Sequence, residues 1–338
     1  MALAVAIVLA FVLGFAAHRA SVCAVRAVAE FQHSGTGFMA ASIVKSMLWV
    51  ILVTLPFFWL TLPSGPYLGG WALTGTAVAG GFLFGIGAAI NGACAYSTMT
   101  RLADGEGRMA ATIAGFALGV LAFVGLIGLG TIERPTPSPT QFGVVANWAG
   151  VIVVGLGVLA VYELVRLWRR RDRSAALRDR LLAPKYRLST AALLIGFSGA
   201  AIYLLFGSAG YTSTFEVIVE GALGTKAWPA TGRWLLLVAV LAGMLSSTLQ
   251  RGSFRLDVRP RTDWLRNASG GVLMGLGAAM APGGNDVLVL YAAPLFSPHA
   301  LPALAAMVVG IFGGLALMKA LFGFEMRVSC KNDCYISG

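Results

Sequence analysis

The chain has 338 residues, of which 58% are hydrophobic and 12% are charged, and its mean hydropathy is +0.80. This composition excludes an ordinary water-soluble domain and indicates a polytopic membrane protein. The net charge is +11, but a nucleic-acid surface would place stacking aromatic side chains beside its basic residues. The main basic run, residues 166–187, contains only Trp168 and Tyr186, which fit a membrane interface instead. No nucleic-acid partner is predicted.

Apolar stretches long enough to cross a hydrocarbon core recur along the whole chain. We predict about nine transmembrane helices of roughly 20 residues each, near residues 2–18, 37–61, 71–90, 108–130, 142–168, 190–208, 229–249, 268–281 and 300–322. Shorter apolar or amphipathic segments lie near residues 20–32, 92–103, 212–223 and 285–296. These four are predicted as re-entrant half-helices, which need protein or a wet cavity around their open backbone ends. The predicted fold class is all-α and polytopic.

Two segments in the middle of the predicted spans are near copies of each other. They are residues 80–90 (GGFLFGIGAAI) and 270–280 (GGVLMGLGAAM), and each runs into a polar break. The order of long and short segments also repeats, starting again five spans later. Because five is odd, the second series would enter the membrane from the opposite face, which predicts an inverted repeat of the kind that builds transporter sites.

This repeat divides the chain into four parts. We predict repeat 1 over residues 1–135, a linking span with a basic cytoplasmic linker over 136–188, repeat 2 over 189–323 and a cytoplasmic tail over 324–338. Basic residues follow the fifth and the seventh predicted spans: Arg166, Arg169, Arg170, Arg171, Arg173, Arg178, Arg180, Lys185 and Arg187, then Arg251, Arg255, Arg259, Arg261 and Arg266. Connections rich in lysine and arginine face the cytoplasm, so the N-terminus is predicted outside and the C-terminus inside.

Two cysteines stand at the starts of predicted half-helices. Cys23 follows the first span and Cys94 follows the third. A free cysteine is often only a small buried hydrophobe, but these two have the polar neighbours Ser21, Arg26 and Asn91. A thiol at the N-terminus of a half-helix and near an arginine can interact with an anion, helped by the helix dipole and by free backbone N–H groups. These five residues are therefore candidate substrate ligands.

The matching break in the second copy offers different chemistry. Gly284, Asn285 and Asp286 bring backbone N–H groups, an amide and a carboxylate to this position. An ionisable residue at membrane depth is a functional candidate, whereas Asp286 can equally cap the half-helix that follows. A carboxylate would repel an anion unless it were protonated, which raises proton coupling as a hypothesis. All three residues are kept as candidate substrate ligands.

The remaining cysteines, Cys330 and Cys334, lie in the predicted cytoplasmic tail. A reducing compartment disfavours a disulfide there, and a zinc site would need further Cys or His ligands nearby. We predict an exposed and partly disordered tail, with no metal and no cofactor. Docking of a partner on this tail is the alternative.

Three motifs together resemble the YeeE/YedE family of sulfur-compound transporters: residues 19–27 (RASVCAVRA), 85–94 (GIGAAINGAC) and 274–286 (MGLGAAMAPGGND). The resemblance extends over nearly the whole chain and implies uptake of thiosulfate or a related anion across the inner membrane of a bacterium. In that family cysteines line a central passage between short helices and hand thiosulfate along by weak S–H contacts, and Cys23 and Cys94 match two of them. The resemblance also allows a cytoplasmic sulfurtransferase as partner.

The chain departs from this family pattern in its second repeat. Where the better known thiosulfate carriers have a further cysteine, residues 282–286 read PGGND. The substrate could therefore be a different sulfur or selenium species, or another small anion, or the site could use amide and backbone donors instead. The predicted function is transport of a small sulfur-containing anion through a thiol-lined passage without covalent chemistry, and not an enzymatic reaction. The alternative is a membrane thiol–disulfide electron conductor that uses Cys23 and Cys94.

Overall fold

The computed structural model describes residues 1–61, 69–141, 145, 147–169, 178–179, 182–259 and 262–337. Within these residues, eight helical segments are long and apolar enough to cross a membrane, and a ninth is formed if one bent helix pair counts as a single span. This confirms the prediction of an all-α, polytopic membrane protein. Part of the two predicted basic connections lies outside the described residues, namely Arg170, Arg171, Arg173, Arg180 and Arg261.

In chain order, the helices of the described residues are α1 (Ala2–Ala20), α2 (Ala24–Ser34), α3 (Phe38–Thr61), α4 (Gly75–Asn91), α5 (Ala95–Ala103), α6 (Arg108–Gly128), α7 (Ala149–Arg169), α8 (Leu188–Phe206), α9 (Tyr211–Ala222), α10 (Thr231–Arg251), α11 (Asp263–Met280), α12 (Asn285–Val287, continued by a π-helical turn over Leu288–Ala292) and α13 (Ala300–Phe322). The strands are β1 (Gly69–Trp71), β2 (Pro137–Pro139), β3 (Val328–Lys331) and β4 (Cys334–Ser337). The helices α2, α5, α9 and α12 are the four predicted short segments, and the others follow the predicted spans in order.

The start of α11 differs from the prediction. α11 begins at Asp263, whereas its apolar span was expected from about residue 268. The extra first turn is polar, and the Asp263 carboxylate pairs with Arg266 Nη2 at 3.3 Å and with Arg108 Nη1 at 3.4 Å. An acidic residue in the first turn and an i,i+3 ion pair both stabilise a helix start. Apolar length alone therefore placed this start too late.

The short helices α2 and α5 each follow a long helix that stops in a left-handed residue. α1 ends at Ser21, with φ 53°, and α4 ends at Gly92, with φ 72°. Gly92 closes the end of α4 by donating its N–H to Ala89 O at 3.1 Å, the kind of helix end that glycine favours because it has no Cβ. The chain then turns and starts α2 or α5. The break between α11 and α12 bends the chain by 46°.

The long helices pack in two groups. α4 packs against α11 and α13, and α11 also against α6; α1 lies against α8 and α10, and α8 also against α3. Backbones come close where glycines face each other: a Cβ on Gly277 would lie 2.5 Å from Gly80 O, and one on Gly80 would lie 2.7 Å from Gly277 O. Small residues allow such close approach between membrane helices. By contrast, α7 packs mainly on α3, and its apolar stretch is unburied.

The tail differs from its predicted exposed and disordered state. β3 and β4 form an antiparallel hairpin in which Lys331 is paired with Cys334. Its two-residue turn has both residues at positive φ, 52° and 65°, the geometry favoured in tight hairpins. β3 packs on α2 and buries Val328 and Cys330. The prediction was wrong because a two-residue turn such as Asn332-Asp333 can join two short strands, and the composition of the tail does not reveal it.

Candidate functional site

The two predicted thiols meet where α2 and α5 begin. Cys23 and Cys94 are the residues that immediately precede these helices, and both have extended backbones. The backbone N–H of Cys94 donates to Cys23 Sγ at 3.4 Å, and each side chain is only 1% exposed. Neither helix has a side-chain cap on its first turn. The structure therefore places two buried thiols beside two helix N-termini, whose free N–H groups favour an anion.

Asn91 holds the turn that leads to Cys94. Its Nδ2 donates to Ala93 O and to Thr98 Oγ1, both at 2.9 Å, and its Oδ1 accepts from Thr112 Oγ1 at 2.7 Å. With these bonds both amide hydrogens are used. Asn91 was expected to contact substrate, but in this structure it positions Cys94 and ties α4 to α6.

Ser21 and Arg26 contact each other, and Arg26 also contacts the tail. The carbonyl of Ser21 accepts from Arg26 Nη1 at 3.2 Å. The guanidinium of Arg26 lies over the ring of Tyr335 in the tail hairpin, 4.9 Å from its centroid. This cation–π contact draws the guanidinium toward the tail, although its charge still acts on Cys23.

A cavity of about 410 Å³ lies between α2, α3 and α13 and ends at the thiols. Its polar end is formed by Cys23, Cys94, Tyr96, Asn285 and Asp286. The rest of its wall is almost entirely apolar, and the side chains at its mouth are exposed on the outer surface of the helices. The mouth residues include Phe31, Ala40, Val44 and Val308. The thiol site therefore sits at the dead end of an apolar cleft in the helical wall.

At the second break, hydrogen bonds to side-chain oxygen atoms join α9 to α12, where the first break has thiols. Asp286 Oδ2 accepts from the backbone N–H of Thr212 at 3.1 Å, and Asp286 Oδ1 accepts from Thr212 Oγ1. Thr212 Oγ1 in turn accepts from the N–H of Gly284 at 3.1 Å. Asp286 thus caps α9, and the first backbone N–H groups of α12 also act on its carboxylate, as one interpretation of the sequence had expected. The carboxylate still lines the cavity.

The local packing explains why this break has no thiol. When the two copied segments are aligned on their Gly-Ala-Ala triplets, Gly284 falls at the position of Cys94. A Cβ on Gly284 would lie 2.7 Å from Thr212 Cγ2 and 3.0 Å from Phe84 Cε2. Contacts under about 3 Å force neighbouring atoms to move in a close-packed interior. The side chain of Thr212 occupies the space that a cysteine would need.

Two unpaired polar atoms and an aromatic pair complete the site. Asn285 Oδ1 and Tyr211 Oη are buried without a hydrogen-bond partner among the described residues. Asn285 lines the cavity and is available to a ligand or to water, whereas Tyr211 lines a smaller neighbouring cavity beside Thr212. Tyr211 packs edge-on against Tyr96, with ring centroids 5.2 Å apart. Tyr211 was missed as a candidate, although the aromatic residue that opens α9 resembles Tyr96 near the start of α5.

The charge of the cavity is set by helix ends and not by basic side chains. Among the described residues that line it there is no Lys, Arg or His, and Asp286 is the one carboxylate. No group of three His, Cys, Asp or Glu side chains within the described part of the chain is placed to hold a metal ion. The arrangement is suited to weak, non-covalent contact with a small soft anion.

The geometry agrees with a comparison across known families. Residues 3–313 match the family model described as sulphur transport. No curated protein matches this chain. Since the family match spans almost all the helices, including all four short ones, the chain belongs to the YeeE/YedE sulphur transport family.

Proposed function

We propose that this protein takes up a small sulfur-containing anion, most directly thiosulfate, across the inner membrane of a bacterium. Membership of the family supports sulfur transport in general. The single observation that carries the finer proposal is the convergence of Cys23 and Cys94, 3.4 Å from thiol sulfur to backbone nitrogen, at two uncapped helix N-termini. Polarisable thiols favour a substrate that bears sulfur over an oxyanion of similar charge.

Passage would proceed by exchange of contacts. The first-turn N–H groups of α2 and α5 and the amide of Asn285 replace water around the anion, while the two thiols make weak S–H contacts with it. No bond to sulfur forms or breaks, so the protein is proposed to act as a transporter and not as an enzyme. The absence of a cation from the described cavity wall keeps binding weak, which a conducting site requires because the ion must also leave.

We also propose the division into two inverted repeats, residues 1–135 and 189–323. The helix contacts support it, because they are exchanged when the two series are interchanged. In this division α1, α3, α4 and α6 of the first repeat correspond to α8, α10, α11 and α13 of the second. Two pairs of corresponding helices pack on each other, α1 on α8 and α4 on α11. The contact of α6 with α11 has its counterpart in that of α13 with α4, and the contact of α3 with α8 has its counterpart in that of α10 with α1. With the basic connections inside, the N-terminus lies outside and the tail at 324–338 is cytoplasmic.

Uptake of sulfur-35 thiosulfate by cells that lack other sulfur importers tests the proposal. Wild type is compared with Cys23→Ala and Cys94→Ala, and Ser269→Ala, an exposed position of α11 that does not line the cavity, serves as the control. We expect loss of uptake in the first two variants and normal uptake in the control, at equal membrane abundance. Wild type that is abundant but inactive, or thiol variants that retain full uptake, would refute the thiol-lined route for thiosulfate.

A second function is favoured by the same contact. Cys23 and Cys94 are close enough that a thiol–disulfide electron conductor has to be considered. Such a protein must cycle between dithiol and disulfide, whereas a thiol-lined passage need not. Mass spectrometry of thiols trapped in growing cells separates the two, because a pair that stays reduced while uptake continues excludes the conductor.

A cytoplasmic sulfurtransferase is proposed as the receiver of the substrate. The hairpin of β3 and β4 is the surface we assign to it, since it packs on α2, the helix that begins at Cys23. Uptake that is unchanged after removal of residues 324–338 would dispose of this docking role.

A further inference from the structure

Asp286 is a buried carboxyl group for which no cation is provided. Its side chain is 1% exposed and lines the same cavity end as the two thiols. No ion pair joins it to a Lys, Arg or His among the described residues. The contrast is with Glu220, equally buried, which pairs with Arg134 at 3.5 Å and also with Lys226. A buried charge without a partner is costly.

No basic side chain of the described residues around Asp286 compensates its charge, and its partners are Thr212 and backbone N–H groups at helix starts. The described basic residues on the packed helices bind elsewhere: Arg233 of α10 donates to Ser208 O at 3.0 Å, and Lys45 of α3 pairs with Glu163 at 2.9 Å. The other titratable groups around the site are cysteines and tyrosines: Cys23, Cys94 of the break before α5, Tyr96 of α5, Tyr211 of α9, Tyr291 of the π-helical turn, and Tyr203 of α8, which stacks on Tyr291. An incoming anion would add a second negative charge to this cluster.

We propose that Asp286 is a proton-binding site and that a proton on it accompanies the substrate anion, so that uptake is proton-coupled. This proposal rests on the proposed function. The anion and the carboxylate share one cavity end of low polarity, where like charges repel strongly. Protonation removes the charge on Asp286 as the anion arrives, and loss of the proton on the other side helps to expel the anion.

The contacts of Asp286 are compatible with both protonation states. Its Oδ2 accepts from the backbone N–H of Thr212 in either state. Its Oδ1 contacts Thr212 Oγ1, and a hydroxyl can donate to a carboxylate or accept from a carboxylic acid. A purely structural cap would use the carboxylate alone. The substitution Asp286→Asn keeps an acceptor for the Thr212 N–H but has no site for the proton, which separates the two roles.

Infrared spectroscopy of the purified protein in vesicles, without any substrate, measures the proton directly. We expect the carboxylic-acid C=O absorbance to grow as the pH is lowered from about 8 to about 5, and to grow less in Asp286→Asn by the contribution of one carboxyl group. Glu325→Gln, a change in the exposed tail, is the matched control and should keep the full growth. A spectrum in which wild type and Asp286→Asn are identical over this range overturns the proposal, whether or not thiosulfate is transported.

Transport in the same vesicles measures coupling. With the membrane potential held at zero, an inward gradient of one pH unit supports up to about ten-fold accumulation of thiosulfate per coupled proton. We expect accumulation in wild type and Glu325→Gln, but only equilibration in Asp286→Asn. Accumulation by Asp286→Asn equal to wild type overturns coupling. A titrating band in a wild type that moves no thiosulfate supports the proton site and counts against thiosulfate as the substrate.

Discussion

A cysteine placed at position 284 would restore a thiol at the second break, and the structure predicts that the fold resists it. The new Cβ would lie 2.7 Å from Thr212 Cγ2, 2.9 Å from Thr212 Oγ1 and 3.0 Å from Phe84 Cε2. Phe84 is fully buried and cannot easily move aside. Overpacking of this kind costs about 1–3 kcal/mol, and disturbing the Gly284 N–H to Thr212 bond adds about 1 kcal/mol. We therefore expect Gly284→Cys to lower the unfolding free energy by roughly 2–4 kcal/mol.

The assay is equilibrium unfolding in mixed micelles of increasing denaturing detergent, followed by helical circular dichroism. Gly313→Cys on α13 is the control, because a Cβ there meets no atom within 4 Å. Adding Thr212→Ala removes both clashing Thr212 atoms, so the double variant should recover part of the loss, with a coupling of about 0.5–3 kcal/mol. A Gly284→Cys protein as stable as Gly313→Cys, or a double variant whose losses simply add, would refute the packing argument.

Three further outcomes are expected. Asn91→Ala should cost at least about 2 kcal/mol in the same unfolding assay, because it leaves buried partners unsatisfied; a change under about 0.5 kcal/mol would contradict the positioning role. Burial raises the pKa of Glu106, but Arg101 and Arg108 outweigh it and hold this pKa below 4.5. Its stabilisation is thus present above pH 4.5 and lost as the pH falls through the lower folded value, so wild type should lose more stability on acidification than Glu106→Gln. Ala40→Trp should fill the cavity mouth and slow labelling of Cys23 by N-ethylmaleimide several-fold, whereas Ala41→Trp, outside the cavity wall, should not.

The long helices and the short ones could be predicted because their lengths are set by the membrane. A stretch that is apolar but too short to cross has few alternatives in a bilayer, which is why α2, α5, α9 and α12 were found close to their expected positions. The prediction for the tail was wrong because no such constraint applies there. Its hairpin depends on the turn at residues 332–333 and on burial of Val328 against α2, and a short strand pair carries little signal in composition.

The site was only partly predictable. The meeting of Cys23 and Cys94 follows from two matched breaks, each of which starts a short helix at the same depth. The direction of a polar side chain at such a break does not follow, because several hydrogen-bond partners compete for it. Asn91 turns into its own loop, Arg26 turns to the tail, and Asp286 binds the backbone of Thr212, which lies 74 residues earlier. Contacts between residues so far apart in the sequence cannot be predicted from local residue spacing.

The two halves of the site present different chemical groups, thiols in one half and oxygen-bearing side chains in the other. At the α2–α5 junction a thiol accepts a backbone N–H, and at the α9–α12 junction the side chains of Thr212 and Asp286 fill the corresponding place. A sulfur atom of the substrate would find polarisable partners only on the first side, and a proton would find its base only on the second. Because both sides open on one cavity end, the proposed anion and proton would meet within a single site. An asymmetric site of this kind would need no third thiol, since the second half would bind a proton at Asp286 in place of a third thiol contact to the substrate.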